Sequence, residues 1–270
     1  MNNKLIGLFD SGVGGLTVLK ALKETLPHEN YIYLGDTARL PYGTKSKETI
    51  IRYALQCTEK LIEYDLKILV VACNTVSSVA LPYIKEKYPQ IEVIGVVEPG
   101  AEAACNETKN NIIAVLATES TIKGKAYEKA ILAINKNAQI IGKACPLFVG
   151  MAEEGITKGE LAEAMAMHYL KDILNLKNKP DTIVLGCTHF PLLKEAIQHV
   201  VGNTIHLVDS AQTTAKKIQY LLKQKEMAND STLHSSLHFL TTDDVQKFKA
   251  IGEPFLGISL DNSLVELVDL

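Results

Sequence analysis

Short apolar runs recur along this chain with a helix-length segment between each and the next: LIGLF (5–9), YIYL (31–34), KILVVA (67–72), VIGVV (93–97), IIAVL (112–116), AQIIG (138–142) and TIVLG (182–186). They lack the polar alternation of a half-solvated strand, so they predict strands buried on both faces. The segments between them carry helical periodicity. The clearest lies over about 46–64, where Ile50, Ile51, Ala54, Leu55, Thr58, Leu61 and Ile62 share one stripe and charged residues take the other face. Alternating elements of this length predict an α/β fold of parallel sheets flanked by helices. Ligands of such sheets collect at the carboxyl ends of the strands, and function is to be sought there.

Two of those strand ends repeat each other. KILVVACNTVSSVALP (67–82) and DTIVLGCTHFPLLKEA (181–196) share one plan: a strand, a cysteine at its end, polar residues including threonine, then a helix. A weaker echo pairs LIGLFDSGVGGL (5–16) with IAVLATESTIKG (113–124). The same order in both halves predicts two similar α/β domains from a duplicated unit, related by a pseudo-twofold axis. If the strand ends face one another, Cys73 and Cys187 lie across a shared cleft.

Composition narrows the partner. A chain of 270 residues with 47% hydrophobic and 22% charged residues is ordinary globular usage and long enough for two cores. The net charge of −3, with both signs mixed along the length, offers no basic stripe for a nucleic-acid backbone and no polybasic tract for a membrane. A small molecule is the expected ligand. No stretch approaches the roughly 18 apolar residues of a membrane span, and MNNKLIGLFDSG reads as a first strand rather than a signal peptide. A cytoplasmic location is expected. Five cysteines (Cys57, Cys73, Cys105, Cys145, Cys187), without a CxxC pair, argue against a disulfide scaffold or a zinc site. Cys57, Cys105 and Cys145 read as packing residues. The polar stretch KQKEMANDSTLHSS (223–236) predicts a flexible surface connection before a last strand near LHFLTT.

Facing thiols suit one chemistry well. Inverting a carbon next to a carboxylate needs a base on one side and an acid on the other, and a thiolate and a thiol can exchange those roles. A cysteine titrates near 8.5 and is lowered beside a cation or at a helix N-terminus, and both thiols here precede expected helices. His189, two residues after Cys187, would lean to the same side in extended backbone. Asp10 would serve Cys73 if the first strand lies beside the third. Ser11, Asn74, Thr75, Thr118, Thr121 and Thr188 supply hydroxyl or amide groups, and helix N-termini near Gly12–Gly15 and after Cys73 offer N–H groups to an anion. DSGVGG is not a nucleotide loop: GxGxxG would need glycine where Thr17 stands, and GxxxxGK[ST] is absent.

Taken together, GLFDSGVGGLTVL, YLGDTARLPYGTKS, VVACNT, VLATESTI, CPLFV and VLGCTHFPLL resemble the signatures of the glutamate racemases, in the cofactor-independent aspartate/glutamate racemase superfamily. The resemblance implies that Cys73 and Cys187 are the acid/base pair, toward D-glutamate and L-glutamate respectively, with Asp10, His189 and Glu153 in support. Glu154 stands beside Glu153 as an alternative, because Gly150, Met151 and Ala152 depart from the family's usual loop. Substrate contacts are implied for Asp10, Ser11, Pro41, Tyr42, Gly43, Asn74, Thr75, Thr118, Thr121, Thr188 and His189. Also implied are two domains, residues 1–96 with 208–270 and residues 97–207, with the active site between them. The reaction would supply D-glutamate for peptidoglycan without pyridoxal phosphate, another cofactor or a metal, in a chain that pairs as a homodimer. An aspartate racemase of the same superfamily and a non-catalytic amino-acid binding protein are the alternatives.

Overall fold

The computed structural model describes residues 3–229 and 235–270. The chain begins β1 (Leu5–Asp10), α1 (Leu16–Thr25), β2 (Asn30–Gly35), α2 (Lys47–Ile62), β3 (Leu66–Val71), α3 (Asn74–Val79), α4 (Leu81–Lys87), β4 (Glu92–Gly95) and α5 (Val97–Glu107). It continues with β5 (Ile112–Ala117), α6 (Glu119–Gly124), α7 (Ala126–Ile134), β6 (Gln139–Ala144), α8 (Leu147–Glu153), α9 (Glu160–Leu174), β7 (Thr182–Gly186), α10 (Lys194–Val201) and β8 (His206–Asp209). It closes with α11 (Ser210–Gln224), β9 (Leu237–Thr241), α12 (Val245–Leu256) and β10 (Val265–Leu267). The expected strands all form, and the runs inside the sheets are buried along their length. AQIIG, however, becomes the partly exposed edge strand β6 and VIGVV the edge strand β4, so neither is buried throughout as expected. α2 starts where its stripe starts, with the Ser46 hydroxyl accepting the Thr49 N–H at 3.3 Å as an N-cap.

Two parallel sheets result. The first has the order β10-β9-β2-β1-β3-β4 and the second β6-β5-β7-β8. The block β2-β1-β3-β4 matches β6-β5-β7-β8 strand for strand, so the fold is two similar α/β domains. Register makes the match residue by residue. Phe9 pairs with Val71 in one sheet and Leu116 with Leu185 in the other, each two residues before a cysteine in its strand. Asp10 therefore corresponds to Ala117 and Ser11 to Thr118. The echo expected from residue type, 5–16 with 113–124, is one position out of step with the pairing.

Strands β8 and β10 have no counterpart among the expected runs. β8 takes its pairing from β7, so the second sheet reaches Asp209, past the boundary expected at 207. The chain then returns to the first sheet through β9 and β10. On the way α11 packs against both α1 and α5, and Gln219 Nε2 donates to Thr25 O at 3.2 Å. The connection at 223–236 is not loose where it is described. Lys223 and Gln224 belong to α11, and the buried Lys67 ammonium, 2.5 Å from Glu29, donates to Met227 O at 2.9 Å. The Asn229 N–H reaches Glu29 at 2.9 Å. Residues 230–234 of that stretch lie outside the described residues. Among the described residues no helix is long and apolar enough to cross a membrane.

Candidate active site

The carboxyl ends of β1 and β3 in one sheet and of β5 and β7 in the other meet around a cavity of about 290 Å³. The first half contributes Ser11, Pro41–Thr44 and Cys73–Thr75. The second contributes Thr118, Glu153 and Cys187–His189. Both cysteines line this one cavity, and each is about one-twentieth exposed.

Cys73 is the residue before α3 and the N-cap of that helix. Its sulfur lies 3.6 Å from the Ser11 hydroxyl. Burial and the neighbouring Asp10 carboxylate push the thiol up to about 12, although the Val76 N–H and Ser11 pull the other way. The lowering expected from the helix N-terminus is thus outweighed: one backbone N–H and one hydroxyl do not replace the lost water beside a buried carboxylate. Asp10 itself is fully buried behind the cavity wall, next to β3 as the sequence reading required. Burial raises its carboxyl, against the pull of His189, the Gly12 and Gly15 N–H groups and Thr188.

Cys187 follows β7, but no α-helix begins there. A turn leads into a 3-10 segment, Phe190–Leu193, and α10 starts only at Lys194. His189 has helical backbone angles, so the expected side-by-side placement in extended chain does not hold; the turn itself brings Nδ1 to 3.9 Å from the Cys187 sulfur. The other ring nitrogen, Nε2, lies 3.0 Å from Glu153 Oε1. Burial disfavours the imidazolium, yet the bonds to Cys187 and Glu153 and the charge of Asp10 carry the imidazole up to about 10. Glu154, one residue on, is exposed. The ring is seated edge-on against Phe255 of α12, centroids 5.3 Å apart at 82°. Gly14 is the residue that lets this turn approach: a Cβ there would lie 2.4 Å from the Thr188 hydroxyl and 2.5 Å from the imidazole.

The remaining residues divide by depth. The Thr75 hydroxyl is 2.9 Å from that of Thr118, which is 3.0 Å from that of Thr121. Thr118 lines the cavity, while Thr121 is buried behind it. The Tyr42 hydroxyl donates to buried Asp36, which also accepts from Arg39 Nε at 2.7 Å and from the Thr242 hydroxyl at 2.9 Å. Tyr42 therefore meets the cavity with its ring and backbone rather than its hydroxyl. Gly43 lies so close to Thr118 that a Cβ would come within 2.9 Å of the threonine Cβ. Asn74 Nδ2 is buried without a hydrogen-bond partner in a residue that lines the cavity.

The cavity wall also includes Leu40, Glu119, Pro146, Val149 and Gly150. Leu40 lies in LPYG, Pro146 and Val149 in CPLFV and Glu119 in VLATESTI, while Gly150 directly follows CPLFV, so the motifs themselves carry the signal for these residues. Nothing near His189 in sequence announces Phe255, which α12 delivers from the end of the chain. Cys57 and Cys145 are fully buried and Cys105 half-buried, and all five thiols are free. Among the described residues no three His, Cys, Asp or Glu side chains gather as a metal-binding group.

A family model described as Asp/Glu/Hydantoin racemase matches residues 6–218. A glutamate racemase of Geobacter metallireducens is 46% identical over 254 residues, covering 94% of this chain and 93% of its own. Among solved structures, a glutamate racemase isoform of Bacillus anthracis superposes with a TM-score of 0.93 at 36% identity, over 100% of this chain and 99% of the other. The Francisella tularensis glutamate racemase, solved in complex with D-glutamate, gives 0.91 at 36% identity, over 100% and 98%. Similarity of this extent, in sequence and in both halves of the fold, makes the chain a member of the Asp/Glu/Hydantoin racemase family.

Proposed function

We propose that the chain is a glutamate racemase that interconverts L- and D-glutamate through two thiols and without a cofactor. One observation carries the reading: the residues at equivalent ends of β3 and β7 are both cysteines, and both line the same cavity. The names of the full-length relatives support glutamate as the substrate. The cavity offers a carboxylate what it needs without arginine: the N–H groups of Asn74 and the hydroxyls of Ser11, Thr75, Thr118 and Thr188.

The two sides differ in proton handling. His189 holds its proton at neutral pH and touches the Cys187 sulfur, whereas the Cys73 thiol keeps its own. We assign Cys187 as the resting base toward L-glutamate and Cys73 as the acid that protonates the opposite face. Each turnover then leaves the roles exchanged: Cys187 has gained the α-proton and Cys73 has lost one. Asp10, behind Cys73, and His189 with Glu153, behind Cys187, are the groups that return the protons. From sheet membership we take the domains as 1–96 with 210–270, and 97–209. The family resemblance supports a cytoplasmic homodimer that supplies D-glutamate for peptidoglycan.

The test is incubation with L-glutamate in D2O without added cofactor, following optical rotation and the α-proton signal together, with L-aspartate alongside. Loss of rotation with deuterium at the α-carbon of glutamate is expected. No change with glutamate would overturn the reading, and faster loss with aspartate would replace the substrate.

A further inference from the structure

Asn74 and Cys187 belong to different domains, and one side chain ties them together. Tyr127, on α7, is buried, and its hydroxyl donates to Asn74 Oδ1 at 2.7 Å. Its ring is held against the backbone on either side. A Cβ on Gly186, the residue before Cys187, would lie 3.0 Å from Tyr127 Cε2, and one on Gly100 would lie 3.1 Å from the hydroxyl oxygen. The ring therefore reports the position of the strand end that carries Cys187, and the hydroxyl fixes the residue that follows Cys73.

A carboxamide has one acceptor end and one donor end, and which end faces a ligand decides what it binds. With Oδ1 taken by the tyrosine, the unpartnered polar atom of Asn74 is Nδ2, a double donor in a residue of the cavity wall. The opposite orientation would set a carbonyl oxygen toward the same space and repel a carboxylate. We infer that Tyr127 is a positioning residue: it locks the Asn74 carboxamide with its N–H groups toward the substrate carboxylate, and couples that donor to the placement of Cys187. The inference rests on the racemase reading of the cavity.

Tyr127→Phe keeps the ring between the two glycines and removes the hydroxyl, with its bond to Asn74 and its contact with Ser210. Because the lost contact is made by bound substrate in ground and transition state alike, KM for both enantiomers should rise by ~10-fold with kcat changed far less. In an Asn74→Ala background the same change should add almost nothing, since the tyrosine then has no carboxamide to orient. An unaltered KM in the single variant, or an equal loss in the Asn74→Ala background, would overturn the inference. If Tyr127→Phe does not fold, Asn74→Asp serves: it keeps an acceptor for the tyrosine and replaces the donors by an oxygen, and an unaltered KM would likewise overturn it. Calorimetric glutamate binding is measured on each protein beside the rate. A wild-type chain that binds glutamate without racemising it sinks the racemase reading while the affinities still judge Tyr127; one that binds no glutamate sinks both.

Discussion

The two halves of the cavity share a backbone and differ in what fills it. Register equates Cys73 with Cys187, and with that Asp10 with Ala117, Ser11 with Thr118, Asn74 with Thr188 and Thr75 with His189. The first half keeps its ionisable neighbour at the end of β1 and a hydroxyl two residues past the cysteine. The second half keeps alanine at the strand end and an imidazole past the cysteine. On the proposed mechanism this duplicated frame presents two like thiols to opposite sides of one carbon, and each half relays protons from a different direction. Near-symmetry suits a reaction between mirror images. The differences let both relays fit in one small space, with Asp10 and His189 close enough to bias each other's charge.

Removing either thiol should have the largest effect. Cys73→Ser and Cys187→Ser should each reduce racemisation by ~10²–10⁴-fold, because a hydroxyl is a far weaker base at the same site. Polarimetry on both enantiomers measures it. Full activity in either variant would show that one thiol suffices, and the equivalence of the two halves would lose its chemical meaning.

The relays come next. Enantiomers have equal free energies, so kcat/KM must remain equal in the two directions for every variant, and asymmetry has to be read by isotope effects. Asp10→Asn and His189→Asn should each slow turnover by ~10–10²-fold. His189→Asn should enlarge the α-deuterium effect on kcat/KM measured from L-glutamate, and Asp10→Asn the one measured from D-glutamate. Equal enlargement from both sides in both variants would mean that the two relays act as one network rather than as two.

Much of this frame is legible in the sequence, for reasons that can be traced. A strand buried on both faces has to be a continuous apolar run, so the strands on either side of the cavity announce themselves. Short edge strands need no such run: HLVD of β8 and VEL of β10 exist because a neighbour offers a ladder. Matching by residue type set Asp10 against Thr118, both polar, whereas hydrogen-bond register sets it against Ala117. The charged residues at 223–229 look like solvated chain until Lys67 and Glu29 are seen buried against them. The direction of the Cys73 shift was hidden for a similar reason: proximity to a helix start is visible in sequence, but the depth of burial that opposes it is a property of the assembled domains.

The Glu153–His189 bond gives the second half a pH signature of its own, distinct from the raised Asp10 carboxyl and Cys73 thiol of the first. An imidazole whose folded pKa is about 10 against an ordinary 6.5 stabilises the folded chain fully below pH 6.5, and that contribution fades as pH rises toward 10. The urea midpoint of the wild-type chain should fall across that window. Glu153→Gln removes one of the groups that hold the proton, so its fall should be shallower and complete at lower pH, with turnover reduced by ~10-fold or less. Glu154→Gln, at an exposed neighbour, should leave both profiles as they are. Superimposable curves for Glu153→Gln and the wild type would remove Glu153 from the relay.

The smallest effects separate Ser11 from its counterpart Thr118. The Ser11 hydroxyl touches the Cys73 sulfur at 3.6 Å and eases charge onto it, so Ser11→Ala should lower kcat by only ~3-fold, in line with one weak hydrogen bond, and leave the melting temperature nearly unmoved. The Thr118 hydroxyl instead caps α6 through the Thr121 N–H at 3.4 Å and joins the Thr75–Thr121 cluster. Thr118→Ala should cost about 1 kcal/mol of stability as a lost cap, and raise KM rather than lower kcat, because Thr118 belongs to the cavity wall and its hydroxyl bonds Thr75 and Thr121 rather than a thiol. Paired kinetics and thermal melts decide it. If Ser11→Ala destabilises and Thr118→Ala slows turnover, equivalent positions have exchanged the roles assigned to them, and the hydroxyl that tunes a thiol belongs to Cys187 rather than to Cys73.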